Sequence, residues 1–227
     1  MKIQKSIERG ITRLNWLDSW HSFSFGDYFN KNKMDFGALK VLNEDIIQPK
    51  KGFGRHPHDN MEIITIVLEG SLTHEDSIGN KEIIPAGDIQ KMSAGTGIEH
   101  SEYNNSDKKV HLLQIWIIPK KLNIKPNYEQ KTIPKKFNEL ITIVSNEEDY
   151  IKINQNASLS IANFNESKEI DYNLKNKNGV YIFIIKGKIK INNEILSKGD
   201  SIEIIETNNV NFKADKNTSL VLIEVPI

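Results

Sequence analysis

His56, His58, Glu62, His100 and Glu102 are the residues of this 227-residue chain whose types and spacing could do chemistry. In GRHPHDNME, residues 54–62, two imidazoles stand at i and i+2. Extended backbone sends alternate side chains to one face, so His56 and His58 would converge as a chelating arm, and Glu62 shares their parity. In AGTGIEHSEYN, residues 94–104, His100 and Glu102 repeat the spacing after a glycine-rich turn that could swing them against the first pair. Three imidazoles with a carboxylate and no thiolate suit a divalent ion such as Fe, Mn, Co, Ni or Cu better than a closed structural zinc site. Such a set leaves positions for water, substrate or dioxygen. One His-x-His is more often an ordinary pair of histidines; the second pair, in strand–turn context, turns the reading to metal. His74 and His111 stand alone on strand-like runs and are expected as hydrogen-bonded structural residues. His21, in WHSFSFGDYF, is expected to pack among its aromatic neighbours, which could line a pocket.

These side chains need strands to hold them. ALKVLNEDII, EIITIVLEG, HLLQIWIIP, LITIVS, VYIFIIKGKIKI, DSIEIIE and SLVLIEV are short runs rich in Ile and Val, punctuated by Gly, Asn, Asp and Pro. That pattern predicts an all-β fold. Hairpins are expected at HEDSIGNKEI and KINNEIL, and a helical turn at PNYEQK or PKKFNEL. An internal repeat joins EGSLTHEDSIGNKEIIPAGDIQ (69–90) to KGKIKINNEILSKGDSIEI (186–204), each reading Gly, strand, turn, strand, Gly-Asp, strand. Two similar β-barrels follow: residues 1–125 with the metal site, a linker over 126–140 in a region broken by Pro119, Pro126 and Pro134, and residues 141–227.

Composition excludes other chemistries. There is no cysteine, so disulfides, thiolate metal sites and cysteine nucleophiles are ruled out. Lys plus Arg equals Asp plus Glu at 30 each, which argues against general affinity for nucleic acid or anionic membrane. With 38% hydrophobic residues, a core can fill without staples. The N-terminus lacks a signal-peptide apolar core, and no run approaches the roughly 18 apolar residues of a membrane span, so a cytoplasmic protein is expected.

The segments GFGRHPHDNME and GDIQKMSAGTGIEHSEYN, with SFSFGDYF, FGALKVLNEDII and HLLQIWIIP, resemble the pirin family of the cupin superfamily. The similarity is close over about residues 9–120 and extends beyond only in plan. It implies a bicupin, built of two jelly-roll-like barrels, with one iron-type centre held by His56, His58, His100 and Glu102. Fe(II) is the first choice of metal, with Mn, Co, Ni, Cu or Zn as alternatives. General cupin motifs place a glutamate ligand after the His-x-His pair, where Glu62 stands, so Glu62 and Glu102 compete. Glu102 is two residues from His100 on one face, whereas Glu62 lies about 13 Å beyond His58 along an extended strand. Glu102 is therefore expected as the ligand, and Glu62 as the group that orients a histidine or handles a proton.

Bacterial members of this pattern are similar to quercetin 2,3-dioxygenases, which implies a flavonol-like aromatic substrate and dioxygen, ring opening with release of carbon monoxide, and Glu62 or Glu102 receiving the substrate proton. Phe23, Phe25, Phe53 and Met92 are candidates for an apolar slot. The rival is an iron-binding, redox-responsive regulator with a protein partner, as eukaryotic pirins are regarded. The second half offers a control. Matching Gly70 to Gly187 sets Asn173 and Lys175 opposite His56 and His58; matching Gly87 to Gly199 sets Phe212 and Ala214 opposite His100 and Glu102. No histidine follows His111, so the second barrel is expected to be metal-free.

Overall fold

The computed structural model describes residues 1–175 and 178–227. In chain order, the first strands are β1 (Lys2–Gln4), β2 (Gly10–Arg13), β3 (Leu17–His21), β4 (Leu39–Ile47), β5 (Lys51–His58) and β6 (Glu62–Glu69). They continue as β7 (Ser71–Asp76), β8 (Lys81–Pro85), β9 (Asp88–Ser93), β10 (Ile98–Asn104), β11 (Val110–Ile117) and β12 (Asn127–Thr132). The second half adds β13 (Ile141–Ser145), β14 (Ile151–Lys152), β15 (Ser158–Phe164), β16 (Lys168–Asn173) and β17 (Asn178–Lys186). It ends with β18 (Lys188–Ile191), β19 (Glu194–Ser197), β20 (Ser201–Ile204), β21 (Asn209–Ala214) and β22 (Thr218–Pro226). No helix among the described residues is long and apolar enough to cross a membrane.

The repeat is visible in the sheets. A seven-stranded sheet ordered β12-β9-β6-β11-β4-β3-β2 faces a four-stranded one ordered β5-β10-β7-β8. The second half repeats the plan as β1-β20-β17-β22-β15-β13-β14 and β16-β21-β18-β19. Burial explains the two kinds of sequence run. β6, β17 and β22 are buried on both faces and are almost continuously apolar, whereas β7 and β21 alternate because one face meets solvent. The expected hairpins form at β7–β8 and β18–β19.

The two large sheets pack against each other. One apolar cluster joins Leu42, Ile64, Ile66 and Leu113 to Leu159, Tyr181, Phe183 and Ile223. Buried Arg9 reinforces this seam, donating to Glu44 at 2.7 Å and lying 4.9 Å over the Phe183 ring. Two short segments cross the division drawn by the repeat. β1 pairs with β20 of the second half, and β12, within the expected linker, pairs along the whole of β9. PNYEQK is thus mostly strand, since its residues complete an open sheet edge, and PKKFNEL forms no helical turn.

Candidate metal centre

Strand pairing brings the three histidines together. β10 runs antiparallel to β5 with His100 directly opposite His56 and Ile98 opposite His58, and a bulge follows between His100 and Glu102. Gly52 permits that bulge, because a Cβ there would collide with the Glu102 carbonyl. Gly97, at φ 129°, supplies the left-handed turn from which β10 starts. The ring centroids of His56, His58 and His100 lie 4.5–5.0 Å apart, and one ligand atom of each falls within 4.8 Å of the others.

Hydrogen bonds fix which nitrogens are free. His56 donates through Nδ1 to the Gly54 carbonyl at 2.7 Å, leaving Nε2 its lone pair. Asp76 is locked in its turn by the backbone N–H groups of Ile78 and Asn80 and by the Asn80 amide. Burial pushes its carboxyl up, but the bonds from Asn80 and His74 outweigh that and hold it below the usual carboxylate range. The carboxylate accepts from His74 Nε2 at 3.1 Å, so His74 Nδ1 is an acceptor, 3.5 Å from His100 Nδ1. The His100 proton therefore sits on Nδ1, and Nε2 is left bare. Nε2 of His58 and of His100 are both buried without a hydrogen-bond partner. Burial, helped by the neighbouring imidazoles, lowers His58 to about 4 and His100 to about 3, so both rings are neutral at pH 7. Two orphaned lone pairs converging with a third fit a divalent ion, whose bonds would offset their desolvation.

Glu102, 2% exposed, accepts from Thr65 Oγ1 at 3.2 Å and from Gln114 Nε2 at 2.8 Å; Trp116 donates to the Gln114 carbonyl oxygen at 3.3 Å. His74, His100 and Glu102 form a second close group that shares His100 with the first. Glu62 does not join either. Its Cα partner is Ser93, whose hydroxyl donates to it at 2.8 Å, while Thr65, facing Glu102, lies on the other side of β6. Burial raises the Glu62 carboxyl, against the pull of Ser93, Lys91 and the Asn154 backbone. The expected role of Glu62 beside a ligand histidine is corrected accordingly: it belongs to the seam between the halves.

A cavity of about 560 Å³ opens from His56, His58 and Glu102 between the two sheets. Phe25 and Phe53 line it as expected, with Trp16 and Trp116, but Phe23 lies in the apolar seam and Met92 in a separate core cluster. His21 also lines it, bonded to Thr12 and Asn43 at 2.9 Å each, and His111 is bonded to Glu44 at 2.9 Å. Sequence reasoning missed Ser19, Asn43, Asp45 and Gln114 on the cavity wall and the contact of His74 with His100. Their signals were polar residues interrupting apolar strands, in VLNEDII and LLQIWII, and the His-x-Asp spacing of HED.

A family model described as Pirin matches residues 3–117, and one described as Quercetinase C-terminal cupin domain matches 142–225. The chain belongs to the pirin family. A pirin-family relative from Escherichia coli strain K12, named quercetin 2,3-dioxygenase, is 40% identical over 226 residues, covering 99% of this chain and 98% of its own. A pirin-like protein of Caulobacter vibrioides is 37% identical over 214 residues, covering 92% of each chain. The crystal structure of bacterial pirin YhhW in complex with nickel(II) from E. coli superposes with a TM-score of 0.94 at 39% identity, over 99% of this chain and 98% of that one. The pirin fold here is thus two cupin units of one chain, and its site fits one divalent metal.

Proposed function

We propose that this chain is a metal-dependent dioxygenase that opens flavonol-like aromatic substrates, with His56, His58, His100 and Glu102 as the ligands and Fe(II) as the working metal. The observation that carries this reading is the pair of orphaned Nε2 atoms of His58 and His100, which converge with His56 at the wall of an aromatic-lined cavity. The names of the E. coli relatives support it. When bound, the ion would supply Lewis acidity toward an enolic hydroxyl and a place for dioxygen. The chain supplies the rest. Trp116, edge-on to His58 at 4.8 Å and to Phe25 at 5.4 Å, shapes a flat apolar slot. Thr65 and Gln114 hold Glu102 where it can ligate or accept the substrate hydroxyl proton, and the His74–Asp76 pair keeps the His100 lone pair aimed inward.

The test is oxygen uptake. Protein loaded with Fe(II), Mn(II) or Cu(II) and mixed with quercetin in air is expected to bleach the flavonol's visible absorbance with matched oxygen consumption, and His56→Ala to abolish both. Uptake no greater than free-metal controls across a panel of flavonols, enols and catechols would overturn the reading.

A further inference from the structure

Asp45 stands on β4, in the seven-stranded sheet, facing the same cavity as the histidines of the four-stranded sheet. It is 3% exposed, and its one side-chain hydrogen bond among the described residues comes from the Ser19 hydroxyl. Apart from the histidine cluster, polar groups of the wall are engaged with one another: His21 with Thr12 and Asn43, Glu102 with Thr65 and Gln114. Asp45 keeps a second carboxylate oxygen that accepts no hydrogen bond from the described residues, and since the residue lines the cavity, that oxygen is available to a group bound there.

We propose that Asp45 and Ser19 form a hydroxyl-binding subsite on the wall facing the metal ligands, so that the substrate is a planar phenolic molecule carrying a hydroxyl in addition to the one at its metal-binding edge. The inference rests on the dioxygenase reading for its ligand class and adds a requirement to it. Rings frame the spot: Trp16 meets Phe53 edge-on at 5.2 Å, and Phe25 lies 5.4 Å from both Trp116 and His21. A flat apolar body fits between them with a polar end at Ser19 and Asp45. Burial, with the charges of Glu102 and Glu44, lifts the Asp45 carboxyl to about 7 against the pull of Ser19 and Arg9. Near neutral pH it can accept from a phenol or donate to one, which suits recognition of a group that is both.

The experiment measures anaerobic binding of two flavonols to nickel-loaded protein by tryptophan quenching: quercetin, hydroxylated on its outer rings, and 3-hydroxyflavone, whose single hydroxyl is at the metal-binding edge. Wild type is expected to prefer quercetin by about 10- to 100-fold, the range of one hydrogen bond to a strongly polar buried group. Asp45→Leu should cut that preference to within about 3-fold by weakening quercetin alone. Asp45→Asn, which keeps the shape and one hydrogen bond, should restore part of it and serves where the leucine variant does not fold. No preference in wild type, an unchanged preference in both variants, or equal weakening of both ligands overturns the subsite; failure of both flavonols to bind overturns the ligand class with it. Hydroxyl preference without oxygen uptake would sink the dioxygenase reading and leave the subsite standing.

Discussion

The two cupin units share a sheet plan and differ in what fills it. Glycines at φ 80° and 79°, Gly70 and Gly187, start equivalent strands, so Thr73 and Lys190 correspond, and with them their partners Tyr103 and Lys213. In that register Val210 and Phe212 take the places of His100 and Glu102, Ile191 that of His74, and Tyr172 and Leu174 those of His56 and His58. The counterparts expected from glycine matching, Asn173 with Lys175 and Phe212 with Ala214, are displaced by one and two residues, because the second unit is longer between β16 and Gly187 and shorter between Gly199 and β21. All five true counterparts belong to or pack on a single apolar cluster. In the first unit the apolar side chains split into two smaller groups, and the polar site lies between them. One scaffold can therefore be closed by packing or by a metal, and the first unit without metal holds unpaired polar atoms where the second holds core.

The sharpest break in this comparison is to exchange the losses. The double variant His56→Ala, His58→Ala should fall from one ion per chain to none by elemental analysis. Phe212→Ala should keep its ion yet lose about 3–5 kcal/mol in chemical denaturation. Metal retained by the double variant, or metal lost with Phe212, would erase the distinction.

Acid should find the difference next. In the metal-free protein His58 and His100 are neutral when folded and protonate below about 4 and 3, whereas in the unfolded chain they protonate near 6.5. Their contribution is complete above about pH 6.5 and drains as pH falls from there through the folded values. Asp45, raised to about 7, acts the other way between its unfolded value near 3.9 and 7, and offsets part of the loss. The urea midpoint is expected to be lower at pH 5 than at pH 7.5, and a midpoint that rises on acidification would contradict neutral buried rings.

Glu62→Gln should have the smallest effect. Its partners are Ser93 and the seam, so metal content should stay at one ion per chain, with a stability change of about 1 kcal/mol. A variant that loses its metal would return Glu62 to the site.

The histidine pairs were legible because side-chain alternation holds within one strand, and each pair lies inside one. Glu62 was misplaced because the parity count ran through Asp59–Met61, where Asn60 takes φ 46° and the chain leaves one sheet for another. Alternation does not survive such a turn. Asp45 and Ser19 face His56 and His58 only because the chain crosses from one sheet to the facing one after β4, and no local pattern encodes that. All-β character and the Gly-Asp repeat were legible because both are local.

Strand β1 gives the architecture a history within each molecule. Its residues are synthesised long before β20, the sheet edge they complete. β1 gains its sheet partner only once β20 has been made, so the second unit is sewn shut by a strand from the first half, and a cut at the midpoint of the repeat would strand that thread on the wrong piece.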